Sequence, residues 1–304
     1  MVKKGNVLIE INKSKYLLML AAPTVLYYLV FHYFPLYGII IAFKDFTPGL
    51  GIWGSTWVGF EHFVRFFDSV YFWRLISNTL IISIYTIIFG FPIPIIFALL
   101  LNEMKSEKYK RVVQTISYMP HFISLVVVVG IMVNFLSLND GIVNVMLTKF
   151  GMTQVSFMTE SSWFRFLYVA SEIWQQFGWN SIIYLAAMSS IDPTYYEAAT
   201  IDGASRFDKM MKITLPSIMP TIVMLLIMRM GGLMSVGFAK IILMYSPATY
   251  DVADVISTYT YRTGIVGGNF SFGSAIGLFN AVINFIMLVG VNKLSRKIND
   301  IGIW

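Results

Sequence analysis

Long apolar stretches alternate with shorter polar segments along the whole chain. Each apolar stretch has at least the roughly 20 residues that a helix needs to cross a bilayer. Because lipid offers no partner to backbone N–H and C=O groups, every spanning stretch is expected to be helical. The pattern predicts an all-α, polytopic membrane protein with one membrane domain over residues 16–292. Its six predicted transmembrane helices cover residues 16–43, 72–101, 112–135, 164–191, 217–245 and 271–291.

Prolines and glycines refine this pattern. Pro35 predicts a kink in the first span, and Pro92 and Pro94 predict one in the second, because proline removes a backbone donor and crowds the preceding turn. In the sixth span, Gly273 and Gly277 are four residues apart, a spacing that favours close helix packing. The first stretch is longer than the apolar core of a signal peptide, about 7–15 residues, so we expect an uncleaved first helix.

Composition agrees with a membrane protein and argues against several site chemistries. The 304 residues are 57% hydrophobic and 12% charged, whereas soluble domains carry about 25% charged residues. The chain has no cysteine, so it has no disulfide framework, thiolate nucleophile or cysteine-ligated metal. His32, His62 and His121 are far apart in sequence, and each is expected to be a satisfied or interfacial residue, with no metal site.

The net charge of +6 is unevenly distributed. If the amino terminus is inside, fourteen Lys and Arg residues fall in inner segments, and three, Arg65, Lys149 and Arg262, lie well within outer loops. Cytoplasmic loops of membrane proteins carry such an excess. The distribution therefore explains the positive charge by topology and not by nucleic-acid binding. It predicts a cytoplasmic amino-terminal segment, 1–15, and a cytoplasmic tail, 293–304.

Residues 192–216 form the most polar long segment of the chain, and they predict two short helices. Asp192 before Pro193 is a good helix start, and Gly203 can take the left-handed conformation that ends a helix. Ser205 and Asp208 have the spacing of a capping box. The second helix is expected to end near Pro216, because the residue before a proline disfavours helix.

The order of residues in this segment resembles the cytoplasmic signature loop of ABC importer permeases. Glu197-Ala198-Ala199, Gly203, Ile213 and Leu215-Pro216 stand at the spacing of that loop without a gap. The resemblance implies a type I ABC importer permease fold, and we call residues 192–216 the signature loop. The residues that it implies in coupling to an ATPase are Glu197, Ala198, Ala199, Asp202, Gly203, Ala204, Phe207, Ile213, Leu215 and Pro216.

The same resemblance implies an assembly in the bacterial cytoplasmic membrane. Its other members would be a second homologous permease subunit, two cytoplasmic ATPase subunits and an extracellular solute-binding protein. ATP and magnesium would be bound by the ATPase subunits, and this chain would bind no cofactor. In agreement, the sequence has no G-x-x-x-x-G-K-[ST] phosphate loop. The implied role is that of a permease subunit without catalytic residues of its own.

The amino-terminal part narrows the resemblance. Residues 31–38, 43–46 and 57–59 resemble the carbohydrate-importer permeases that serve oligosaccharides and polysaccharide fragments. An ABC permease for a non-sugar solute, such as an amino acid, phosphate or a metal, remains the alternative. A secondary transporter or channel, and an intramembrane enzyme, are the other classes. The signature loop argues against a secondary transporter or channel, in which it would have no explanation. No recognisable catalytic motif supports an intramembrane enzyme.

Polar residues recur on one face of the fourth predicted span. They stand at positions i, i+3, i+4, i+7 and i+8, which share one helix face, and buried polar groups in a membrane are costly unless they face protein or water. Amides and carboxylates bind sugar hydroxyls, and aromatic rings stack on sugar faces, so the mixture suits a neutral or weakly charged oligosaccharide. These residues, called the polar stripe, are Glu172, Gln175, Gln176, Trp179 and Asn180, with Tyr184 just beyond.

Alternatives remain for the polar stripe and for two cations of the fifth span. Amide side chains also bond neighbouring helices, so the stripe predicts either a substrate path or helix-to-helix contacts. Arg229 is expected to face the bundle interior, where pairing with Glu172 is favoured over contact with substrate. Lys240, near the outer end of the predicted span, is expected to extend its ammonium group to the membrane surface.

Overall fold

Helices make up most of the computed structural model of this chain, which describes residues 14–299 and 302–303. One antiparallel pair of two-residue strands, β1 (Lys44–Asp45) and β2 (Thr56–Trp57), is the exception to the predicted all-α class within the described part. The α-helices are α1 Lys15–Tyr28, α2 Gly51–Gly54, α3 Glu61–Phe67, α4 Phe72–Tyr85, α5 Pro92–Asn102, α6 Glu107–Tyr118, α7 Leu125–Phe135, α8 Ile142–Lys149, α9 Ser161–Ser189, α10 Pro193–Ile201, α11 Arg206–Lys209, α12 Leu215–Gly231, α13 Phe238–Met244, α14 Tyr250–Ala253, α15 Ile256–Thr260 and α16 Phe270–Asn299.

Short segments of other helical geometry connect several of these elements. The 3-10 segments are Phe34–Phe43, Met119–Phe122 and Pro247–Thr249. The π segments are Leu29–Tyr33, Thr86–Gly90, Met210–Thr214 and Tyr261–Val266. Two of the π segments lie just before a proline: Thr86–Gly90 precedes Pro92, and Met210–Thr214 precedes Leu215-Pro216. A wider turn there relieves the contact between the proline ring and the carbonyl one turn earlier.

Length and hydropathy identify membrane spans in the described residues. Four helical stretches qualify, Lys15–Phe43, Phe72–Asn102, Arg206–Gly231 and Phe270–Lys297, and a bent pair of helices would make a fifth. Helix α9 is 29 residues long but does not qualify, because its polar residues lower its hydropathy. Of the predicted terminal segments, residues 1–13, 300, 301 and 304 lie outside the described residues.

The third predicted span is wrong as a continuous helix. Residues Glu107–Phe122 and Leu125–Phe135 meet at an angle of 96°. Pro120 lies in the 3-10 turn at this bend, and Ser124 begins α7 by accepting a hydrogen bond from the Val127 N–H at 3.4 Å. Proline cannot donate to the preceding turn, so the backbone changes direction here and the polar residues of α6 extend away from α7.

The fifth predicted span is wrong at both ends. Helical structure runs without a gap from Arg206 to Gly231, so the predicted helix end at Pro216 is also wrong; the π turn before Leu215 accommodates the proline. The helix then stops at Gly231, and residues 232–237 are not helical before α13 begins. We call residues 232–237 the break.

Distant side chains hold the backbone of the break. Ser83 donates its hydroxyl to the Leu233 carbonyl at 2.5 Å. The Met234 N–H donates to Asn284 Oδ1 at 2.9 Å, and the Asn284 amide donates to Ser235 Oγ at 2.9 Å. Non-helical backbone at membrane depth needs such partners inside the protein. The break is therefore fixed between the second and sixth spans.

The segments between the spans are folded and largely helical. Asn144 is fully buried and binds both the Ser137 carbonyl and the Val155 backbone, which fixes the segment around α8. In the predicted loop 246–270, Asp254 is fully buried and accepts hydrogen bonds from Arg262 at 2.6 and 3.2 Å, Arg74 at 3.4 Å and Thr258 at 2.9 Å. This carboxylate ties the segment to the second span.

Close packing at glycine occurs in the sixth span as predicted, but at one of the two glycines. A Cβ at Gly273 would lie 2.8 Å from the Gly264 Cα, whereas one at Gly277 would meet nothing within 4 Å. Buried apolar residues form separate groups between the helices, around Tyr168 and Ile241, around Phe66 and Ile276, and around Tyr184 and Ile218. Helix α9 contributes to the first and the third group, which places the polar stripe between them.

Candidate functional site

Two adjoining cavities lie beside the polar stripe. The first has a volume of about 640 Å³ and is bordered by the π segment Thr86–Gly90 and by α5, α9 and α12. The second has a volume of about 500 Å³ and reaches the break and α13. Four residues line both, namely Thr86, Glu172, Gln176 and Arg229. Every residue predicted for the substrate path, Glu172, Gln175, Gln176, Trp179, Asn180, Tyr184 and Arg229, lines at least one of them.

Several stripe residues also bond the bent third span. The Gln175 side chain is buried and donates to the Ile123 carbonyl at 3.0 Å. His121 Nδ1 donates to Gln176 Oε1 at 2.8 Å, and the His121 ring stacks on Trp179 with centroids 4.3 Å apart and planes 2° from parallel. The same stripe residues therefore both line the cavities and bond a neighbouring helix. His121 has a hydrogen-bond partner, as predicted for a satisfied histidine.

Close backbone contact permits these side-chain contacts. A Cβ at Gly178 would lie 2.1 Å from the Ser117 carbonyl oxygen, so α9 and α6 touch backbone to backbone at this point. Glycine allows such an approach between membrane helices because it has no side chain. Neither Gly178 nor the place of His121 in the site was predicted from the sequence. The signals were a glycine among the stripe residues and a Pro-His pair in an apolar stretch.

Asn180 and Tyr184 extend the cavity lining beyond these contacts. Asn180 is exposed in the cavity, and within the described residues no hydrogen bond involves its amide. Trp179 is 40% exposed despite its stacking on His121, so its other face borders the cavity. Tyr184 is 3% exposed and contributes mainly its packing. Asn180 and Trp179 can therefore offer hydrogen bonds and an aromatic face to a bound molecule.

The charged residues of the cavity differ from the expectation. Lys240 is buried, with 3% of its side chain exposed, and forms an ion pair with Glu172 at 3.1 Å; the prediction that it extends to the membrane surface is wrong. Its ammonium group also donates to the Tyr168 carbonyl at 3.1 Å. The physical reason is the break, because the chain turns there and brings α13 back against α9.

The predicted pairing of Arg229 with Glu172 is also wrong. Within the described part of the chain, no carboxylate forms an ion pair with Arg229 and no hydrogen bond involves its guanidinium group. Arg229 stands in the last turn of α12, immediately before the break, and is exposed to both cavities. Its position in the cavity agrees with the expectation that it faces the interior, but its charge is unpaired.

The signature loop has the predicted two-helix form. Asp192 caps α10 by accepting a hydrogen bond from the Thr194 N–H at 2.9 Å, and hydrogen bonds from the Thr194 backbone and side chain hold the pKa of Asp192 below its usual value. Gly203 has φ of +75°, and the Ala204 N–H donates to the Ala199 carbonyl at 2.9 Å. This is the left-handed helix ending that glycine favours.

The second half of the loop is joined to the first. The Ser205–Asp208 capping box is present as predicted. Lys209 donates to the Thr200 hydroxyl at 2.7 Å, and the hydroxyls of Tyr196 and Thr214 are hydrogen-bonded at 2.9 Å. These contacts hold α10 at a fixed angle to the helix that continues into α12.

The face of the signature loop that points away from the rest of the chain is exposed. Helix α10 has no buried residue, and Glu197 is exposed. Two large apolar side chains stand out, Ile201 with 87% and Phe207 with 66% exposure. Of the residues implied in coupling, the exposed ones are Glu197, Ala198, Asp202, Gly203, Phe207 and Pro216, and the half-buried ones are Ala199, Ala204, Ile213 and Leu215.

Comparisons with known proteins agree on the family. Residues 90–300 match the family described as "Binding-protein-dependent transport system inner membrane component". Protein LplB of Bacillus subtilis (strain 168) is 42% identical, covering 97% of this chain and 92% of LplB. The polygalacturonan/rhamnogalacturonan transport system permease protein YteP of the same organism is 41% identical, covering 99% of this chain and 94% of YteP.

Solved structures give the same result. A chain of a bacterial alginate ABC transporter, in complex with an alginate pentasaccharide-bound periplasmic protein, is 44% identical with a TM-score of 0.90, covering 98% of this chain and 100% of that chain. A chain of a bacterial ABC transporter involved in the import of the acidic polysaccharide alginate is 45% identical with a TM-score of 0.89, covering 97% of this chain and 100% of that chain. The chain therefore belongs to the family of inner membrane components of binding-protein-dependent transport systems.

Proposed function

We propose that this chain is a permease subunit of an ATP-driven, binding-protein-dependent importer of oligosaccharides or glycan fragments. One observation carries the proposal, which is the cavity beside α9 that combines amides, a carboxylate and an exposed indole face. Sugars need donors and acceptors for their hydroxyls and an apolar surface for their ring faces. The relatives named for polygalacturonan, rhamnogalacturonan and alginate support a glycan over the non-sugar alternative.

The proposed permease subunit has six membrane crossings and both termini in the cytoplasm. The four long apolar stretches and the bent pair account for five crossings. Helix α9 supplies the sixth, because its polar side faces the cavity and neighbouring helices and not lipid. The excess of Lys and Arg in the segments between alternate spans supports this orientation. The signature loop is then cytoplasmic.

The signature loop is the contact with the ATPase subunits. Helix α10, the exposed Glu197 and the exposed apolar side chains of Ile201 and Phe207 form a surface that a partner can bind. ATP is bound and hydrolysed on the partner, and this chain adds no catalytic residue. Hydrogen bonds of Tyr196 and Lys209 join α10 to the helical stretch Arg206–Gly231. A movement of the docked ATPases is therefore passed to α12, which lines the cavity.

A second permease subunit and an external binding protein complete the importer. The first span supports a second permease subunit, because only 6% of its most apolar part is buried within this chain. Such a helix can be covered by lipid or by a second subunit. The alginate transporter structure in complex with a periplasmic protein supports an external binding protein. The binding protein delivers the glycan to the outer side, and the permease pair opens alternately to the two sides.

Uptake by the reconstituted importer tests the proposal. Proteoliposomes would contain this chain, its neighbouring-gene permease and ATPase, and would receive the binding protein outside and ATP inside. We expect ATP-dependent accumulation of an oligosaccharide, and none of an amino acid, phosphate or a divalent metal. Omission of the second permease is the control and is expected to abolish uptake. Accumulation of one of the non-sugar solutes, with no glycan uptake, would support the alternative.

A further inference from the structure

Three side chains that line the two cavities are acidic or basic, and the two basic ones outnumber the one acidic one. Glu172 and Arg229 line both cavities, and Lys240 lines the second. The carboxylate of Glu172 is paired with Lys240 at 3.1 Å, whereas Arg229 has no ion-pair partner in the described residues. The cavity therefore carries an uncompensated positive charge at the end of α12.

An unpaired cation at this depth needs an explanation. Ionisable side chains inside a membrane domain usually pair with one another or lie on the path of a ligand. Arg229 could pair with Glu172 if that carboxylate were free, since the two groups border the same space. In this structure the Glu172 carboxylate is instead paired with Lys240, whose ammonium group is also fixed by the Tyr168 carbonyl at 3.1 Å and lies 4.9 Å from the centre of the Tyr168 ring.

We propose that Arg229 binds a carboxylate of the transported glycan, that the substrate class is uronic-acid oligosaccharides, and that Lys240 acts as a positioning residue by holding Glu172 away from Arg229. This inference rests on the function proposed above. It replaces the neutral or weakly charged glycan that the polar stripe alone predicts.

The chemistry of the guanidinium group fits this role. Its planar donors match a carboxylate with two parallel hydrogen bonds, and such charge-assisted bonds are stronger than those to a neutral hydroxyl. Asn180 and Trp179 stand on the same cavity, where they can contact a hydroxyl and a ring face of the same sugar. A neutral sugar can use these two groups but gains less from Arg229.

Binding of a matched pair of glycans tests the inference. The ligands are a uronic-acid tetrasaccharide and the same tetrasaccharide after reduction of its carboxylates to primary alcohols. Their affinity for the purified complex of both permeases and the ATPases, without binding protein, is measured by equilibrium dialysis. This arrangement removes any preference of the binding protein from the result. We expect the wild-type complex to bind the acidic ligand more tightly.

Four variants separate the roles. Arg229→Gln is expected to weaken binding of the acidic ligand roughly 10- to 100-fold, the range of a hydrogen bond to a charged group, and to weaken binding of the neutral ligand far less. Lys240→Gln is expected to act in the same direction, because it frees Glu172 to pair with Arg229. The double variant Lys240→Gln/Glu172→Gln is expected to restore the preference. Lys149→Gln, an exposed cation outside the cavity, is the matched control.

The outcomes distinguish the two proposals. Equal binding of both ligands by the wild-type complex, or an equal loss of both in Arg229→Gln, would overturn the inference and leave the glycan importer standing. Failure of the double variant to recover the acidic preference, in a complex with a wild-type melting temperature, would overturn the role of Lys240. Binding and uptake of neither ligand by the wild-type importer would count against the proposed function itself.

Discussion

Gly178 is the position where a single methyl group would test the architecture most directly. It faces the backbone of α6, where an added Cβ would lie 2.1 Å from the Ser117 carbonyl oxygen and 2.5 Å from its carbon. Ordinary contacts begin at 3.4 Å, and backbone atoms cannot rotate away as a side chain can. In Gly178→Ala, α6 and α9 must therefore separate.

The expected energy follows from this geometry. Overpacking of this kind costs roughly 1–3 kcal/mol. Separation also loosens the hydrogen bonds of Gln175 with Ile123 and of Gln176 with His121, at roughly 0.5–1.5 kcal/mol each. Replacing a helical glycine by alanine returns about 1 kcal/mol. We expect a net loss of about 3 kcal/mol, which would lower the apparent melting temperature by several degrees.

Thermal unfolding of the detergent-solubilised complex, measured together with glycan uptake, checks the prediction. Gly130→Ala in α7 is the matched control, because a Cβ there meets nothing within 4 Å, and it is expected to melt at or slightly above the wild-type temperature. Uptake by Gly178→Ala should fall for every glycan in parallel, since the contact between α6 and α9 is lost for all of them. A wild-type melting temperature and normal uptake would show that the helices do not approach as closely as described.

Three further changes test the signature loop and the segment 246–270. Glu197→Lys reverses an exposed charge and is expected to abolish the stimulation of ATP hydrolysis by the loaded binding protein, while the chain still inserts; normal stimulation would remove the coupling role. Gly203→Val places a β-branched residue at φ of +75°, with an expected strain of roughly 1–3 kcal/mol and a similar loss of coupling in the same assay. Asp254→Asn removes the charge shared by Arg262 and Arg74, and is expected to lower stability by roughly 1–3 kcal/mol in a melting experiment; no change would mean that solvent compensates both guanidinium groups.

The predictable part of the fold is the part encoded locally. Apolar length located the helical stretches Lys15–Phe43 and Phe72–Asn102 and the start of the helix Phe270–Asn299 to within a residue, although the last helix continues eight residues beyond its predicted end at 291. The caps and Gly203 located the two helices of the signature loop. The bends were not predictable in the same way. The backbone of the break is satisfied by Ser83 and Asn284, which lie far away in sequence. Glycines within an apolar run do not indicate whether such partners exist.

The site shows the same division. Helical periodicity found the polar stripe, because its residues lie on one helix and share one face. Lys240 was misplaced, because its predicted position assumed that the fifth span continued as one helix to the membrane surface. The chain instead leaves the helix at residues 232–237, and the ammonium group of Lys240 is buried against Glu172. An error in one helix end therefore changed the charge assigned to the whole cavity.

The two expectations for the polar stripe of helix α9, a substrate path and contacts between helices, do not exclude each other, because its side chains have more than one bonding group. Gln176 gives its Oε1 to His121 and leaves its amide N–H groups on the side of the cavity that it lines. Trp179 gives one ring face to His121 and exposes the other. Glu172 accepts from Lys240 through Oε2 and has a second oxygen. The residues that hold the bent third span and the broken fifth span therefore also keep free groups that can meet a substrate.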